Sequence, residues 1–380
     1  MKVYQAHCFY SRRGGEDVVV EREAQLLRDA GIELVPWYQY NPATSSLLEK
    51  ARLGWQASWR CGGKQQLIAM QAQKGDILHV HNFFPQLSPA VFYQAKALGM
   101  KTVLTLHNFR CLTPSAMLPE GDARYSVAHT LSQCWQASYQ NSILASLAVG
   151  TMIESHRVLG TWHKQVDCFI CPSDYVRKHF IKVGFAADKL RVLPHFYPST
   201  SKADHNKANG ARDYALFVGR ESAEKGLDNL LHAWRHVEYP LVVAGANRPT
   251  ADIPERIRFV GQVEQHYLSE LYQGAALLIA PSGVAETFGN VVMEAFAHGT
   301  PALVSKKGAL MELVQPGYNG EWIESADWQI LAGQLNKMLA QPLLLEEMGK
   351  KARQTFLQRY TPQVHSQALL SLYNELSAGM

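Results

Sequence analysis

The sequence predicts an α/β protein of two doubly wound, Rossmann-like domains. Three observations carry that expectation. Strand-like and helix-like segments alternate through both halves, 380 residues suit two domains better than one, and a small, polar, turn-rich stretch divides the halves. In the first half, apolar runs mark strands near 2–9, 32–37, 76–80, 102–106, 167–171 and 190–193, with helices near 17–30, 88–98 and 174–183 between them. The divider is Ser199-Thr-Ser-Lys-Ala-Asp-His-Asn-Lys-Ala-Asn-Gly-Ala211. Strands then follow at Tyr214–Gly219, Leu241–Gly245, Ile257–Gly261, Ala275–Ala280 and Ala302–Ser305, with amphipathic helices at Leu227–Trp234 and Asn290–His298. The domains expected are 1–196 and 213–359, joined by a linker at 197–212 and followed by a last helix within 360–380.

The second half carries the densest chemistry. Glu286-Thr-Phe-Gly-Asn-Val-Val-Met-Glu294 brackets the point where the strand ending before Pro281 turns into a helix. A helix N-terminus presents unpaired N–H groups that favour anions, so Phe288-Gly289-Asn290 makes a phosphate seat. Glu294 lies four residues past Asn290, one turn on along the same face, where a carboxylate accepts hydrogen bonds from paired sugar hydroxyls. Glu286 is placed to do the same for a second polyol. Carboxylates near helix starts are also common for the dipole alone, so the pair needs partners. They come from Gly219-Arg-Glu-Ser-Ala-Glu-Lys225-Gly226, a strand-to-helix loop at the carboxyl edge of the sheet. Arg220 offers a planar fork and Lys225 a mobile charge, which together suit a diphosphate. The competing reading is a solvated loop in which Glu221 and Glu224 pair with them.

In the first half, Gly14-Gly15 opens the helix after strand one and lets backbone approach a phosphate or acceptor closely, with Arg12 and Arg13 beside it. His107 follows the apolar strand Thr102–Leu106 and so emerges at the carboxyl edge, with Asn108 as its companion. His79 and His81 alternate along one strand and face the same way. With no third ligand evident they read as scaffolding rather than a metal site.

These segments together resemble the retaining glycosyltransferases of family 4, with the GT-B fold. The resemblance rests on Val218-Gly219-Arg220 through Lys225-Gly226, the two spaced glutamates and Gly299-Thr-Pro301-Ala in the second half. In the first it rests on His79-Val-His81-Asn-Phe-Phe-Pro85, Thr105-Leu-His107-Asn108-Phe-Arg110 and Asp174-Tyr-Val-Arg-Lys-His-Phe180. It covers nearly the whole chain and is weakest over 40–70, 111–145 and 198–212. It implies two domains facing across a cleft, with the last helix crossing back to the first. It also implies a nucleotide-diphosphate sugar (UDP- or GDP-linked) as donor and a saccharide or lipid-linked saccharide as acceptor. The implied catalytic residues are His107, Arg220, Lys225 and Glu286. The implied donor-binding set is Gly14, Gly15, Gly219, Arg220, Lys225, Gly261, Val263, Glu286, Phe288, Gly289, Asn290 and Glu294, and the acceptor side is Arg12, Arg13 and Asn108. His195 stands where the family often has asparagine, and its role is left open. No Asp-x-Asp occurs, in agreement with a mechanism in which Arg and Lys replace a metal. No cofactor is expected.

Composition narrows the setting. Residues 1–196 carry 21 Lys and Arg against 14 Asp and Glu, a bias that steers an anionic partner to the first domain. Arg12-Arg13, Lys50, Arg52 and Arg60 with Trp55 and Trp59 suggest contact with anionic headgroups or a lipid diphosphate at the inner membrane. The longest apolar run, Ile143–Ile153, is too short to span a bilayer, and Lys2–Tyr10 reads as a strand rather than a signal peptide. Six scattered cysteines, Cys168 and Cys171 among them, read as buried reduced thiols, which fits a cytoplasmic protein. Nothing suggests nucleic-acid binding. The context expected is cell-envelope polysaccharide such as lipopolysaccharide. The alternatives are a sugar-nucleotide 2-epimerase of the same architecture or a non-catalytic binding subunit. A nicotinamide oxidoreductase is disfavoured, because no Gly-x-Gly-x-x-Gly opens the first helix.

Overall fold

The computed structural model describes residues 1–10, 14–41, 54, 56–118, 126–198, 212–249 and 253–378. The chain forms two compact units, Met1–Pro194 with His365–Met380, and His195–Val364. The boundaries therefore fall at Pro194/His195 and inside the last helix. Most of the expected linker, 199–211, lies outside the described residues.

The first unit is built on six parallel strands: β1 (Val3–Phe9), β2 (Leu34–Tyr40), β3 (Ile77–Asn82), β4 (Lys101–Thr105), β5 (Cys168–Cys171) and β6 (Leu190–Val192). Their order is β2-β1-β3-β4-β5-β6. All of β1 and β3 is buried, as a parallel sheet with both faces covered requires. The helix Gly15–Asp29 turns Val19, Val20, Glu23, Ala24 and Leu27 inward. β1 leads to β2 on one side while β3 lies on the other, so the sheet's switch point falls between β1 and β3. The last helix, Pro362–Ala378, buries His365, Leu369, Leu372 and Tyr373, one stripe at helical spacing. That stripe packs with Val3, Ile77, Val103 and Ile170 on one face of the sheet.

The second unit repeats the plan with β7 (Tyr214–Val218), β8 (Leu241–Ala244), β9 (Ile257–Gly261), β10 (Ala275–Ala280), β11 (Ala302–Ser305) and β12 (Gly320–Ile323). The order is β12-β11-β10-β7-β8-β9, all parallel. Alternation splits the core. Leu216, Leu278 and Val304 meet Val292, Phe296 and Phe356 on one face, while Phe217, Leu277 and Leu303 meet Leu230, Trp234 and Leu335 on the other. Here the switch point falls between β7 and β10.

All six cysteines are free thiols. Five are buried, and burial pushes Cys8 and Cys168 up to about 12. Cys61 is exposed, correcting the expectation that all are buried: it lies in the turn just before the helix Gly63–Ala69. Among the described residues no helix is long and apolar enough to cross a membrane.

Candidate active site

The loops after β7 and β10 leave neighbouring strands at the switch point of the second sheet, and they are stitched together by backbone contacts. Gly283 N–H donates to the Glu224 carbonyl at 2.8 Å, and the Ser282 hydroxyl donates to the same oxygen at 3.1 Å. Gly226 sits at φ +71°, and a Cβ there would lie 2.0 Å from the Pro281 carbonyl oxygen. Glycine is thus required at this point both for its dihedral angle and for the space.

On this platform Lys225 Nζ donates to Glu286 Oε1 at 2.7 Å, both side chains being partly exposed. The Glu286 backbone is pinned from the turn after β11, where Ala309 N–H donates to its carbonyl at 3.0 Å. Arg220 is 75% exposed and pairs with Glu224 at 3.1 Å. An exposed i,i+4 pair is worth only about 0.3–0.5 kcal/mol, so a phosphate can draw the guanidinium away cheaply. The solvated-loop reading is therefore half realised: Glu224 does engage Arg220, while Lys225 turns to Glu286.

The helix Asn290–Ala297 begins after Gly289, whose φ of +110° turns the chain into the helix. Phe288 is buried, with His195 edge-on at 5.0 Å and Tyr360 at 5.9 Å, so His195 packs against the turn that leads into this helix. Asn290 Oδ1 is buried with no hydrogen-bond partner. Glu294 is nearly buried, and Oε2 accepts a hydrogen bond from the Tyr272 hydroxyl at 3.1 Å. Tyr272 was not legible as a site residue, since its helix is apolar on the same face. Gly261 ends β9 and Val263 follows it, at the same edge but two strands from Gly219; the Gly261 carbonyl accepts from Gly245 N–H at 2.7 Å, and Val263 packs half-buried on the core.

In the first unit Gly14 N–H donates to Asp17 Oδ2 at 2.7 Å, and the other carboxylate oxygen meets His7 Nε2 at 2.8 Å. Gly15 begins the helix. Asn108 Nδ2 donates to Glu16 Oε2 at 3.3 Å, and its Oδ1 accepts from Arg110 N–H at 2.9 Å. The Arg110 guanidinium lies 4.9 Å from the ring centres of both Phe84 and Tyr139. Burial, with Asp17 adding to it, pushes the Glu16 carboxyl up to about 7, against the opposing effects of Tyr10, Arg110 and Asn108. Glu16 escaped sequence reasoning because a carboxylate in a first helical turn is ordinary. Arg12, Arg13, Lys50, Arg52 and Trp55 lie outside the described residues. Arg60 is committed to the Gln86 carbonyl at 2.5 Å, and Trp59 stacks on His156 at 5.7 Å.

His107 is buried at the end of β4, and its Nε2 meets His81 Nδ1 at 3.0 Å. The expectation that His79 and His81 lack a third partner is corrected. Glu23 Oε1 stands 3.2 Å from His79 Nδ1 and 3.1 Å from His81 Nε2. Helix Gly15–Asp29 turns Glu23 onto its apolar face, and that face covers β3. Among the described residues this is the group whose donor atoms converge as metal ligands would. Its nitrogens are already engaged, however. His79 Nδ1 meets the Tyr373 hydroxyl and Nε2 the Thr105 hydroxyl, each at 2.7 Å, and His81 Nε2 has Gln5 Nε2 at 3.4 Å. Glu23 Oε1, by contrast, is buried with no hydrogen-bond partner.

The model for glycosyltransferase family 4 matches residues 13–199, and that for glycosyl transferases group 1 matches 199–355. A D-inositol 3-phosphate glycosyltransferase of Catenulispora acidiphila is 30% identical over 73% of this chain and 67% of its own length. An uncharacterized glycosyltransferase of Methanocaldococcus jannaschii is 29% identical over 42% of this chain, and the match spans only 45% of that protein. Among solved structures, sucrose-phosphate synthase from Thermosynechococcus elongatus superposes with a TM-score of 0.72 over all of both chains at 19% identity. Anabaena HepE in complex with UDP gives 0.65 over 98% of this chain and all of its own at 17% identity. At such identities the structures share the fold alone.

Proposed function

Because this chain belongs to the group 1, family 4 glycosyltransferases of GT-B fold, we propose that it transfers a sugar from a UDP- or GDP-linked donor with retention of anomeric configuration. The acceptor is a saccharide or lipid-linked saccharide of the cell envelope, met at the cytoplasmic face of the membrane. The observation that carries this reading is the Lys225–Glu286 pair on the stitched loops of the second switch point, with Glu294 on the helix that follows. HepE, of the same fold, was solved with UDP, which supports a nucleoside diphosphate at the corresponding edge. The basic excess of residues 1–196 supports an anionic acceptor on the first unit.

In the proposed mechanism Arg220, Lys225 and the amides at Phe288–Asn290 hold the diphosphate. Glu294 accepts from the ribose hydroxyls and Glu286 from a hydroxyl of the sugar, while His107 and the Gly14–Gly15 loop attend the sugar and acceptor. The bond from the anomeric carbon to the β-phosphate oxygen breaks, and the electron pair leaves with the diphosphate. The acceptor oxygen bonds to the same face, and its proton passes to the departing phosphate. Cations and the helix N-terminus stabilise the developing negative charge, so the chemistry needs no divalent ion.

The test is thermal denaturation with UDP, GDP, ADP, dTDP and their common sugars, without added metal. A ligand at a hundred times its Kd adds about 2.7 kcal/mol of stability. One nucleotide should stabilise selectively, and Glu294→Ala should abolish the shift. A variant that responds like the parent would remove Glu294 from the donor site.

The acceptor side has its own signature. Burial pushes the Glu16 carboxyl up to about 7, so its anionic fraction grows as pH rises through that value. If Glu16 accepts a hydrogen bond from the acceptor hydroxyl, transfer should rise as pH increases through 7 and fall below it. Glu16→Gln should flatten this limb while leaving the UDP-induced stabilisation intact. An unchanged limb in Glu16→Gln would take Glu16 out of the acceptor site.

A further inference from the structure

We propose that Glu23, His79 and His81 form a buried site for a divalent transition metal, zinc by its donor chemistry, that fastens the helix Gly15–Asp29 and the last helix to β3. The ion is structural and takes no part in sugar transfer, so the proposal stands apart from the transferase reading.

The three donor atoms converge. Glu23 Oε1 stands 3.1 Å from His81 Nε2 and 3.2 Å from His79 Nδ1, and all three atoms lie within 4.8 Å of one another. Ligands about 2.0–2.1 Å from a tetrahedral zinc ion stand about 3.3 Å apart, so the two short spacings are those of a coordination shell. The histidines are alternate residues of β3 and face one way, and Glu23 comes from the helix that covers that face.

The hydrogen bonds around the cluster turn its lone pairs inward. Gln5 Oε1 takes the Tyr38 hydroxyl and Gln5 Nε2 gives to the Val20 carbonyl, which fixes the amide with its nitrogen toward His81. That nitrogen can only donate, and it lies 3.4 Å from His81 Nε2. The ring proton of His81 is therefore on Nδ1, which donates to His107 Nε2 at 3.0 Å. The fully buried Tyr373 hydroxyl donates to His79 Nδ1 at 2.7 Å, and Nε2–H on the far side donates to the Thr105 hydroxyl, also at 2.7 Å. Glu23 Oε2 is held by His365 Nε2 at 3.4 Å, while Oε1 has no hydrogen-bond partner.

Two ring lone pairs and one carboxylate oxygen thus face a common point, with no proton between the carboxylate and either ring. In a buried site that arrangement is repulsive, and a cation at its centre reverses the sign. Each donor is also held from behind, by Thr105, His107 and His365, as ligating side chains are oriented in metal sites. Ligation displaces two donors without stranding either. Gln5 keeps the Val20 carbonyl at 3.3 Å, and the Tyr373 hydroxyl turns about its C–O bond to leave its oxygen beside the ion. Two imidazole nitrogens with one carboxylate oxygen suit zinc, whereas magnesium and calcium take oxygen ligands. With Glu23 and His81 each 3% exposed and His79 fully buried, no substrate reaches the ion.

The test is elemental analysis of the full chain, purified without a histidine tag from cells grown with added zinc. One equivalent of zinc per chain should resist EDTA in the folded protein and be lost when the protein is unfolded. X-ray absorption at the zinc edge should show imidazole and oxygen ligands and no sulfur. After unfolding in EDTA, refolding with Zn2+ should raise Tm by about 5 °C or more over refolding without metal. Glu23→Gln, which keeps the shape, and His79→Gln should each lose both the zinc and the zinc-dependent shift. A parent chain that holds no zinc, with a Tm indifferent to Zn2+ on refolding, would overturn the site and leave a proton to meet the carboxylate. Zinc retained at the parental level in Glu23→Gln would overturn it as well. Should both variants fail to fold, the parent decides alone: zinc stripped by EDTA from the folded protein, or bound through sulfur, places the ion elsewhere.

Discussion

Lys225→Ala is expected to lower kcat by on the order of a hundredfold or more, the scale of removing one transition-state donor. The geometry adds a second penalty. Lys225 lies 2.7 Å from Glu286, and both side chains are partly withdrawn from solvent. Without the ammonium, an uncompensated carboxylate remains where the diphosphate is proposed to depart, so the variant should lose an attraction and gain a repulsion. Two consequences separate this from a generic loss. Adding Glu286→Ala to Lys225→Ala should cost less than the two single effects combined, because the repulsion is relieved; residues in contact couple by about 0.5–3 kcal/mol. Arg220→Ala should also cost about a hundredfold in kcat, yet leave thermal stability nearly unchanged, since its apo partner Glu224 is an exposed i,i+4 contact. Near-parental turnover in both Lys225→Ala and Arg220→Ala would remove the leaving-group role.

The two alternating halves were legible because central parallel strands are buried on both faces and so read as unbroken apolar runs. Ala275–Ala280 and Leu241–Ala244 are of this kind. The edge strand Gly320–Ile323 was not, because it is short and only partly buried beyond its glycine. The helices Val127–Trp135 and Ile143–Leu159 also escaped. They pack on each other, and exposed Leu131, Trp135, Leu144 and Val158 blur the amphipathic pattern. At the site, the strand-to-helix loops showed Lys225 and Glu286 as chemistry, but not that they touch, since 61 residues separate them. Glu23 escaped sequence reading, although it lies among the buried Val19, Val20, Ala24 and Leu27 of its helix. Its neighbours come from β3 and from residue 365 of the last helix, and no local pattern joins positions so far apart. Side-chain periodicity reports which face is buried, and says nothing of what it is buried against.

Gly226→Ala should abolish donor binding while the protein still folds. At φ +71° an alanine costs about 1–2 kcal/mol in backbone strain. That alone would be tolerable. The Cβ, however, would lie 2.0 Å from the Pro281 carbonyl oxygen, a backbone atom with no rotamer to escape into, so one of the two loops must move. Moving either separates Lys225 from Glu286 and breaks the Gly283 and Ser282 bonds to the Glu224 carbonyl. Gly317→Ala is the control. It lies in the same unit at φ +72°, with nothing within 4 Å of the added carbon, and so carries the strain without the collision. Calorimetric titration with the nucleotide that stabilises the parent should find binding close to parental in Gly317→Ala and none in Gly226→Ala. Circular dichroism should be alike in both. Equal binding in the two variants would mean that the loops after β7 and β10 need not be held together for the donor, and that the switch point serves as scaffold rather than as site.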